Sequence, residues 1–384
     1  MDLAAAKAPP DPVRVTADLR RWAIEKALPL WASAGYDAKR GGFQERLHAD
    51  GTPDVTAPRR LLVQGRQIFS YALAADLGWF PQGKTLAIDA AAFMLEKYRS
   101  PEGGFVVSLA PDNSVADGTR DSYVHMFVLL ALSWATKISG DAQLRTALDG
   151  TLAFIDAELT APDGSLIEGI PTSQPRRQNP HMHCLEAMLA MRETIQHPQG
   201  LPRAAKLHQM MVEKFYDPQT QCLPEYYDDH WQPLTGDGDS VEPGHHAEWA
   251  WLIRKYERLA GLAPSAIPAA LVKSALRFRD PKSGFLLEEV NRQGVIRKDN
   301  LRIWPQTEMP KAWIVEAELR APGAADNAAT TMQMLAKRFL DTPCAGGWTE
   351  IFDAQWRPVT KTMPATALYH VLGTAAEAHR LWPS

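Results

Sequence analysis

The chain has 384 residues, 45% of them hydrophobic and 22% charged, with 41 basic against 45 acidic side chains and a formal net charge of −4. Enough apolar material is present to offset chain entropy, which excludes global disorder, and the near balance of charge excludes the basic surface that nucleic acid requires. Three cysteines, Cys184, Cys222 and Cys344, stand in no metal-ligand spacing and form no disulfide framework, so a reducing cytoplasm is the simplest compartment.

No apolar run reaches the roughly 18 residues of a membrane span. The first dozen residues have no apolar core of signal-peptide length, and Pro9, Pro10 and Pro12 break any helix there. Residues 1–12 are therefore expected to be a flexible tail, and 13–384 a folded unit. Length alone would divide the chain into two or three domains. Internal periodicity argues for a different division.

A helix is predicted at 13–35. A short strand-turn pattern follows, GGFQERLHADGTP from Gly41, and then two helices at 58–80 and 83–99. The pattern returns as GGFVVSLAPDNSV from Gly103, followed by helices at 119–139 and 141–158. A weaker copy, DGSLIEGIP from Asp163, precedes helices at 178–196 and 199–215. QCLPEYYDDHWQP from Gln221 precedes 243–261 and 264–279, with TGDGDS (235–240) read as the loop from this hairpin into its inner helix and not as a domain boundary. SGFLLEEVNRQGV from Ser283 precedes 303–321 and 324–340, and GGWTEIFDAQWRP from Gly346 precedes a last helix at 364–381. Each copy reads as a hairpin, alternating residues and then Asp/Asn/Gly turn chemistry. The anchor residues Phe43, Phe105, Leu166, Leu223, Phe285 and Trp348 are spaced by 62, 61, 57, 62 and 63. The fourth and sixth copies also align Glu225 with Glu350 and Trp231 with Trp356.

In each pair the first helix, such as DSYVHMFVLLALSWATKI, is apolar around most of its circumference, and the second is amphipathic. Six helices buried on several sides alternating with six half-exposed ones predict an all-α (α/α)6 barrel, with short hairpins at one end. An open α-solenoid is the alternative; pairing of the last helix with the first favours ring closure.

Buried polar groups cost free energy unless paired, so those in the first turns of the inner helices need a reason. They are Gln64 and Arg66; Asp121, Tyr123 and His125; Arg176, Arg177, Asn179 and His183; His245 and Glu248; Trp304, Gln306 and Glu308; Tyr369 and His370. Six such starts around one end of a ring converge on one cleft. Asn179 and His183, like Trp304 and Glu308, are i,i+4 pairs sharing a face, and His245 shares one with Glu248 three residues on. His181 and His183 are about 200° apart on a helix and cannot chelate one metal; no HExxH motif exists, and no metal or other cofactor is expected. No phosphate loop and no nucleophile elbow are present. His125 divides evenly between packing and support of the site. Trp304 is a candidate for stacking on a sugar.

The stretches RLLVQGRQIFSYA, DSYVHMFVLLAL, RRQNPHMHCLEAMLAM, EPGHHAEWAWLI, WPQTEMPKAW and MPATALYHVLGTAAEA resemble the N-acylglucosamine 2-epimerase superfamily over nearly the whole chain. The resemblance implies an (α/α)6 barrel and a 1,2-proton shift on a reducing aldose through an enediol, without an obligatory metal. It places catalysis on Arg66, His245, Glu248 and His370, and substrate contacts on His183, Asn179, Trp304, Glu308 and Tyr123. His370 would be the base between C2 and C1, and His245, oriented by Glu248, the acid/base for ring opening. The motif versions are most similar to the mannose isomerase branch. KTMPATALYH lacks the Trp that cellobiose 2-epimerases carry before the final Tyr-His, which implies a monosaccharide. Isomerisation and 2-epimerisation use the same histidines. An inverting glycosidase using Glu248 and Glu308, and a non-catalytic sugar-binding protein, are the other readings. No membrane or nucleic-acid partner is expected, and the chain would act as a monomer or homodimer.

Overall fold

The computed structural model describes residues 8–383. Its first helix, α1, begins as Pro12–Trp22, capped by the Asp11 carboxylate, and runs through a π-helical turn, Ala23–Ala27, into Leu28–Ser33. It starts at the edge of the expected tail, of which residues 1–7 lie outside the described residues. Then follow α2 (Leu61–Asp76), α3 (Gly83–Lys97), α4 (Ser122–Ser139), α5 (Ala142–Glu158), α6 (Asn179–Ile195), α7 (Gly200–Met210), α8 (Pro243–Ala260), α9 (Ile267–Arg277), α10 (Ile303–Glu318), α11 (Ala324–Leu335) and α12 (Thr366–Leu381).

α2, α4, α6, α8, α10 and α12 form the inner ring, each packed on the next, and α12 packs back on α2. The other six lie outside, with α1 against α11 and α12, so the first helix completes the last pair. The ring is closed, an (α/α)6 barrel, and not an open solenoid. Burial follows the predicted patterns. In α4 every residue from Val124 to Thr136 is buried, whereas α5 buries only a stripe, Leu144, Leu148, Thr151, Leu152 and Ile155. The inner helices approach closely: a Cβ on Gly65 of α2 would stand 2.7 Å from the Phe127 carbonyl oxygen of α4.

Local hairpins form, as where Ser108–Leu109 pairs with Val115–Asp117 and Glu289–Val290 with Ile296–Lys298. A second pairing goes beyond the sequence reading. The strand entering each inner helix pairs with the hairpin of the next repeat: Arg59–Arg60 with Ser108–Leu109, Arg120–Asp121 with Gly169–Ile170, Arg176–Arg177 with Tyr226–Tyr227. Val241 bridges to Val290, Leu301–Arg302 pairs with Ile351–Phe352, and Thr362–Pro364 returns to Arg46–His48. This circle of strands fixes where all six inner helices begin.

One side chain ties each of five inner helices to its own hairpin by accepting the backbone N–H at the anchor or, in the fifth repeat, one residue past it. Gln64 Oε1 takes Phe43 at 2.7 Å, His125 Nε2 takes Phe105 at 3.0 Å, and His181 Nε2 takes Leu166 at 2.9 Å. His246 Nε2 takes Leu223 at 2.8 Å, and Gln306 Oε1 takes Leu286 at 2.9 Å. In the sixth repeat Met363 Sδ lies 3.3 Å from the Trp348 nitrogen. An accepting imidazole nitrogen is unprotonated, and burial holds the three histidines neutral, pushing His125 down to about 4 and His181 and His246 to about 3. Gln64, His125 and Gln306, expected among the residues converging on the cleft, therefore face away from it.

Candidate active site

A tie residue fixes the rotation of its helix. Positions two before and two after it lie about 200° round, on the opposite side, and so face the ring axis. The upper tier is Leu62, Tyr123, Asn179 and Trp304; in α8 that place is Gly244, where a Cβ would come within 2.6 Å of the Trp304 ring. The lower tier is Arg66, Phe127, His183, Glu248 and Glu308. With His245, Thr366 and His370, these residues other than Gly244, Phe127 and Glu308 line a cleft of about 260 Å³. Eight of the nine expected site residues line it: Arg66, Tyr123, Asn179, His183, His245, Glu248, Trp304 and His370. The ninth, Glu308, is fully buried behind His370. All six inner-helix N-termini point into the cleft, and their dipoles favour negative charge there.

His370 Nδ1 lies 2.8 Å from Glu308 Oε1, and its Nε2 lies 3.2 Å from Arg66 Nη1. An ionised carboxylate and a guanidinium leave one consistent tautomer, with Nδ1–H donating to Glu308 and Nε2 accepting from Arg66. Burial, then the positive charges of Arg66 and Lys311, hold His370 well below the ordinary histidine range, so it is neutral. Arg66 also donates to the Tyr123 hydroxyl at 3.2 Å and stacks over Phe127 at 4.5 Å and Tyr369 at 4.7 Å.

His245 is set the other way. Its Nδ1 lies 2.8 Å from Glu225 Oε1 and 3.9 Å from Glu242 Oε2. Burial lowers its pKa, but Glu225 and Glu242 outweigh that and raise it to about 10, so His245 carries a proton at neutral pH. Gln178 braces the pair, donating to Glu225 Oε2 at 2.9 Å while accepting from the Trp249 indole at 2.6 Å. The expected orienting partner, Glu248, makes no hydrogen bond to His245; the hairpin residue Glu225 does. Glu248 instead belongs to the lower tier, where burial and the nearby Glu308 raise its pKa to about 8 and one carboxyl oxygen has no hydrogen-bond partner. Trp304 packs against both histidines, with ring centroids 4.8 Å from His245 and 5.9 Å from His370. His183 donates from Nδ1 to Glu186 Oε2 at 2.9 Å; burial outweighs Glu186 and pushes it down to about 4. Glu186 is also hydrogen-bonded by the Tyr369 hydroxyl.

The sequence reading missed Glu225, Glu242, Glu186 and Lys311. A signal for two of them was available. Glu45, Glu168, Glu225 and Glu350 each stand two residues after an anchor. In the first and third repeats that Glu binds an Arg four residues before the tie, Glu45 with Arg60 and Glu168 with Arg177. In the fourth repeat the Arg position holds Glu242, and Glu225 turns to His245. The departure from the repeat marks the site.

Residues 41–374 match the N-acylglucosamine 2-epimerase (GlcNAc 2-epimerase) family model. The chain belongs to the N-acylglucosamine 2-epimerase family. A relative named mannose-6-phosphate isomerase, from Rhizobium meliloti (strain 1021), is 31% identical over 378 residues, 92% of this chain and 94% of its own. A D-mannose isomerase from Marinomonas mediterranea is 24% identical over 381 residues, with the same 92% and 94% coverage. Among solved structures, cellobiose 2-epimerase from Bacillus thermoamylovorans B4167 superposes with a TM-score of 0.87 at 18% identity, covering 96% of this chain and 99% of that one, a likeness of fold. This member of the N-acylglucosamine 2-epimerase family is an enzyme, a sugar isomerase or epimerase.

Two clusters bring potential ligand atoms within 4.8 Å of one another: Glu225, Glu242 and His245, and Glu248, Glu308 and His370. In each the histidine Nδ1 is engaged by a carboxylate, and the free Glu308 oxygen is taken by Lys311. The donor sets fit hydrogen-bonded acid–base pairs better than a cation site. Glu248 and Glu308 also stand closer than the about 6.5–9.5 Å that an inverting glycosidase pair requires. Among the described residues no helix is long and apolar enough to cross a membrane.

Proposed function

We propose that this enzyme interconverts D-mannose and D-fructose by a metal-independent 1,2-proton shift through a cis-enediol. The supporting observation is the opposite surroundings of two histidines packed against one tryptophan, Arg66 beside His370, which favours its neutral form, and Glu225 and Glu242 beside His245, which favour its cationic form. Environments that push paired groups apart in pKa assign the base and the acid.

The protonated His245 gives its proton to the ring oxygen as the C1–O5 bond breaks, and the anomeric O1–H proton returns to His245 as the C1=O1 bond forms. His370 Nε2 then removes the C2 proton while O1 takes the proton of His245, forming the enediol. The O2–H proton passes back to His245 and the His370 proton moves to C1, giving the ketose with both histidines as they began. Arg66 and the six helix N-termini stabilise charge developing on O1 and O2, and the imidazolium that forms on His370 is neutralised by Glu308. Glu248, kept protonated, is a donor to a sugar oxygen, and Asn179, His183 and Tyr123 hold hydroxyl groups.

The cleft of about 260 Å³ lies at the small end of ligand sites, which suits one hexose. The arginines at its mouth are already engaged, Arg60 by Glu45 and Arg302 by Glu350, with Glu242 beside them. Among the described residues that leaves no uncommitted arginine or lysine at the mouth for a 6-phosphate, Arg66 lying deeper against His370, so the free sugar is favoured over mannose 6-phosphate. A monosaccharide 2-epimerase is the second reading, because a second, protonated histidine stands ready to return a proton to C2.

Incubation with D-mannose in D2O, followed by NMR, tests this. Fructose with partial deuteration at C1 is the expected product; glucose deuterated at C2 would favour the epimerase. Turnover of mannose 6-phosphate alone would overturn the free-sugar reading, and strong loss of activity on adding a chelator would overturn the metal-free mechanism. No change in any reducing aldose would sink both readings.

A further inference from the structure

Behind the cleft lies a buried charge that the mechanism above does not use. Lys311, three residues after Glu308 in α10, is 1% exposed. Its Nζ lies 2.5 Å from Glu308 Oε2, and the other oxygen of that carboxylate meets His370 Nδ1. The ammonium also stands 3.8 Å from the Trp251 ring centroid. Burying an ammonium is costly, so a lysine at this depth is held for its charge.

The groups facing the Glu308–His370 pair come from three other inner helices and from α12 itself. They are Arg66 of α2, His183 and Glu186 of α6, Glu248 of α8, and Tyr369 of α12. Glu186 has the His183 and Tyr369 donors, and Glu248 is neutral; Glu308 has the ammonium. Burial raises the Glu308 pKa and Lys311 opposes it.

The ionisation of Glu308 decides which nitrogen of His370 is the base. An ionised carboxylate accepts Nδ1–H and leaves a lone pair on Nε2, which the Arg66 N–H meets in this structure and the C2 proton would take. A protonated one donates to Nδ1 and moves the imidazole hydrogen to Nε2, which then has no lone pair for a C2 proton.

We propose that Lys311 is a positioning residue, keeping Glu308 ionised and so fixing the His370 tautomer whose Nε2 is the base. The inference rests on the reading of His370 as the C2 base. Lys311 transfers no proton itself; the C2 proton goes to Nε2 and from there to C1, while Nδ1–H stays with Glu308 throughout.

The test compares Lys311→Met, Glu308→Gln, their double variant and His370→Asn with the wild type, by kcat and KM across pH. Lys311→Met should lower kcat about 100-fold at pH 7, the scale of lost general-base catalysis, and leave KM within about threefold. Its activity should recover as pH rises and Glu308 ionises again, moving the acid limb of kcat/KM upward. In Glu308→Gln the new amide oxygen still accepts Nδ1–H and needs no cation, so Glu308→Gln/Lys311→Met should be no slower than Glu308→Gln alone. If Lys311→Met does not fold by circular dichroism, the double variant, which buries no unpaired charge, carries the comparison. A wild-type pH profile in Lys311→Met, or a double variant in which the two losses multiply, would overturn the proposal. Retained activity in His370→Asn would overturn instead the reading of His370 as base.

Discussion

Two histidines packed on one tryptophan are given opposite charge by the groups behind their rings. Two carboxylates, Glu225 and Glu242, stand behind His245, whereas His370 has Glu308 on one nitrogen but the guanidinium of Arg66 on the other. His370→Ala should therefore lower kcat by about 10²–10⁴, the range for a general base, with a far smaller effect on KM. Glu225→Gln separates the two roles. Glu225 raises the His245 pKa, so its removal lowers that pKa, and the alkaline limb of kcat/KM should fall by about 1–2 pH units. An unmoved alkaline limb between pH 7 and 10 would show that His245 is not the acid. Both histidines were legible as candidates in the sequence. Their charges were not, because apart from Glu242 the residues that set them lie 20, 62 and 304 positions away.

At the scale of the helix, the repeat dictates more than length. Gln64, His125, His181, His246 and Gln306 perform one task, and the positions two before and two after each deliver a pair of residues to the axis. Three histidines, among them His125, which the sequence left divided between packing and support of the site, are thus structural equivalents of glutamine. His181→Gln should then be tolerated, as repeats one and five already use Gln. His181→Leu leaves the Leu166 N–H buried without an acceptor and should cost about 1–3 kcal/mol, read from urea denaturation. Equal losses in both variants would show that ring shape, and not the hydrogen bond, matters at this position. The helices themselves were visible because apolar periodicity is local. The tie was not recognised because it joins side chain to backbone across about 20 residues.

For the whole molecule, buried neutral histidines make stability depend on acid. His125, His181 and His246 titrate at about 4, 3 and 3 when folded, against an unfolded value near 6.5. Their folded pKa values are depressed, so between pH 6.5 and 4 the unfolded chain binds more protons, and stability falls with pH by about 1.4 kcal/mol per unit for each histidine. His245 has the opposite sign: raised to about 10, it adds stability below pH 6.5 that is lost as pH rises to 10. Urea midpoints should therefore peak near neutrality and drop steeply below pH 6, and His181→Gln should flatten the acid slope by about one proton. A flat profile from pH 7 to 5 would contradict the neutral ties.

Local pattern in the amino-acid chain sufficed for the twelve helices and the ring, because a hairpin recurring every 57 to 63 residues can be read without knowing any distant contact, and only with the family resemblance did it narrow to eight lining residues. It also supplied Glu308, though not its place behind His370. The strand circle between repeats, the carboxylate that grips His245 and the lysine behind Glu308 emerge only in the folded molecule. These are contacts between repeats or across the axis, where the energy of a buried charge is set by neighbours that closure of the ring brings together and sequence distance conceals.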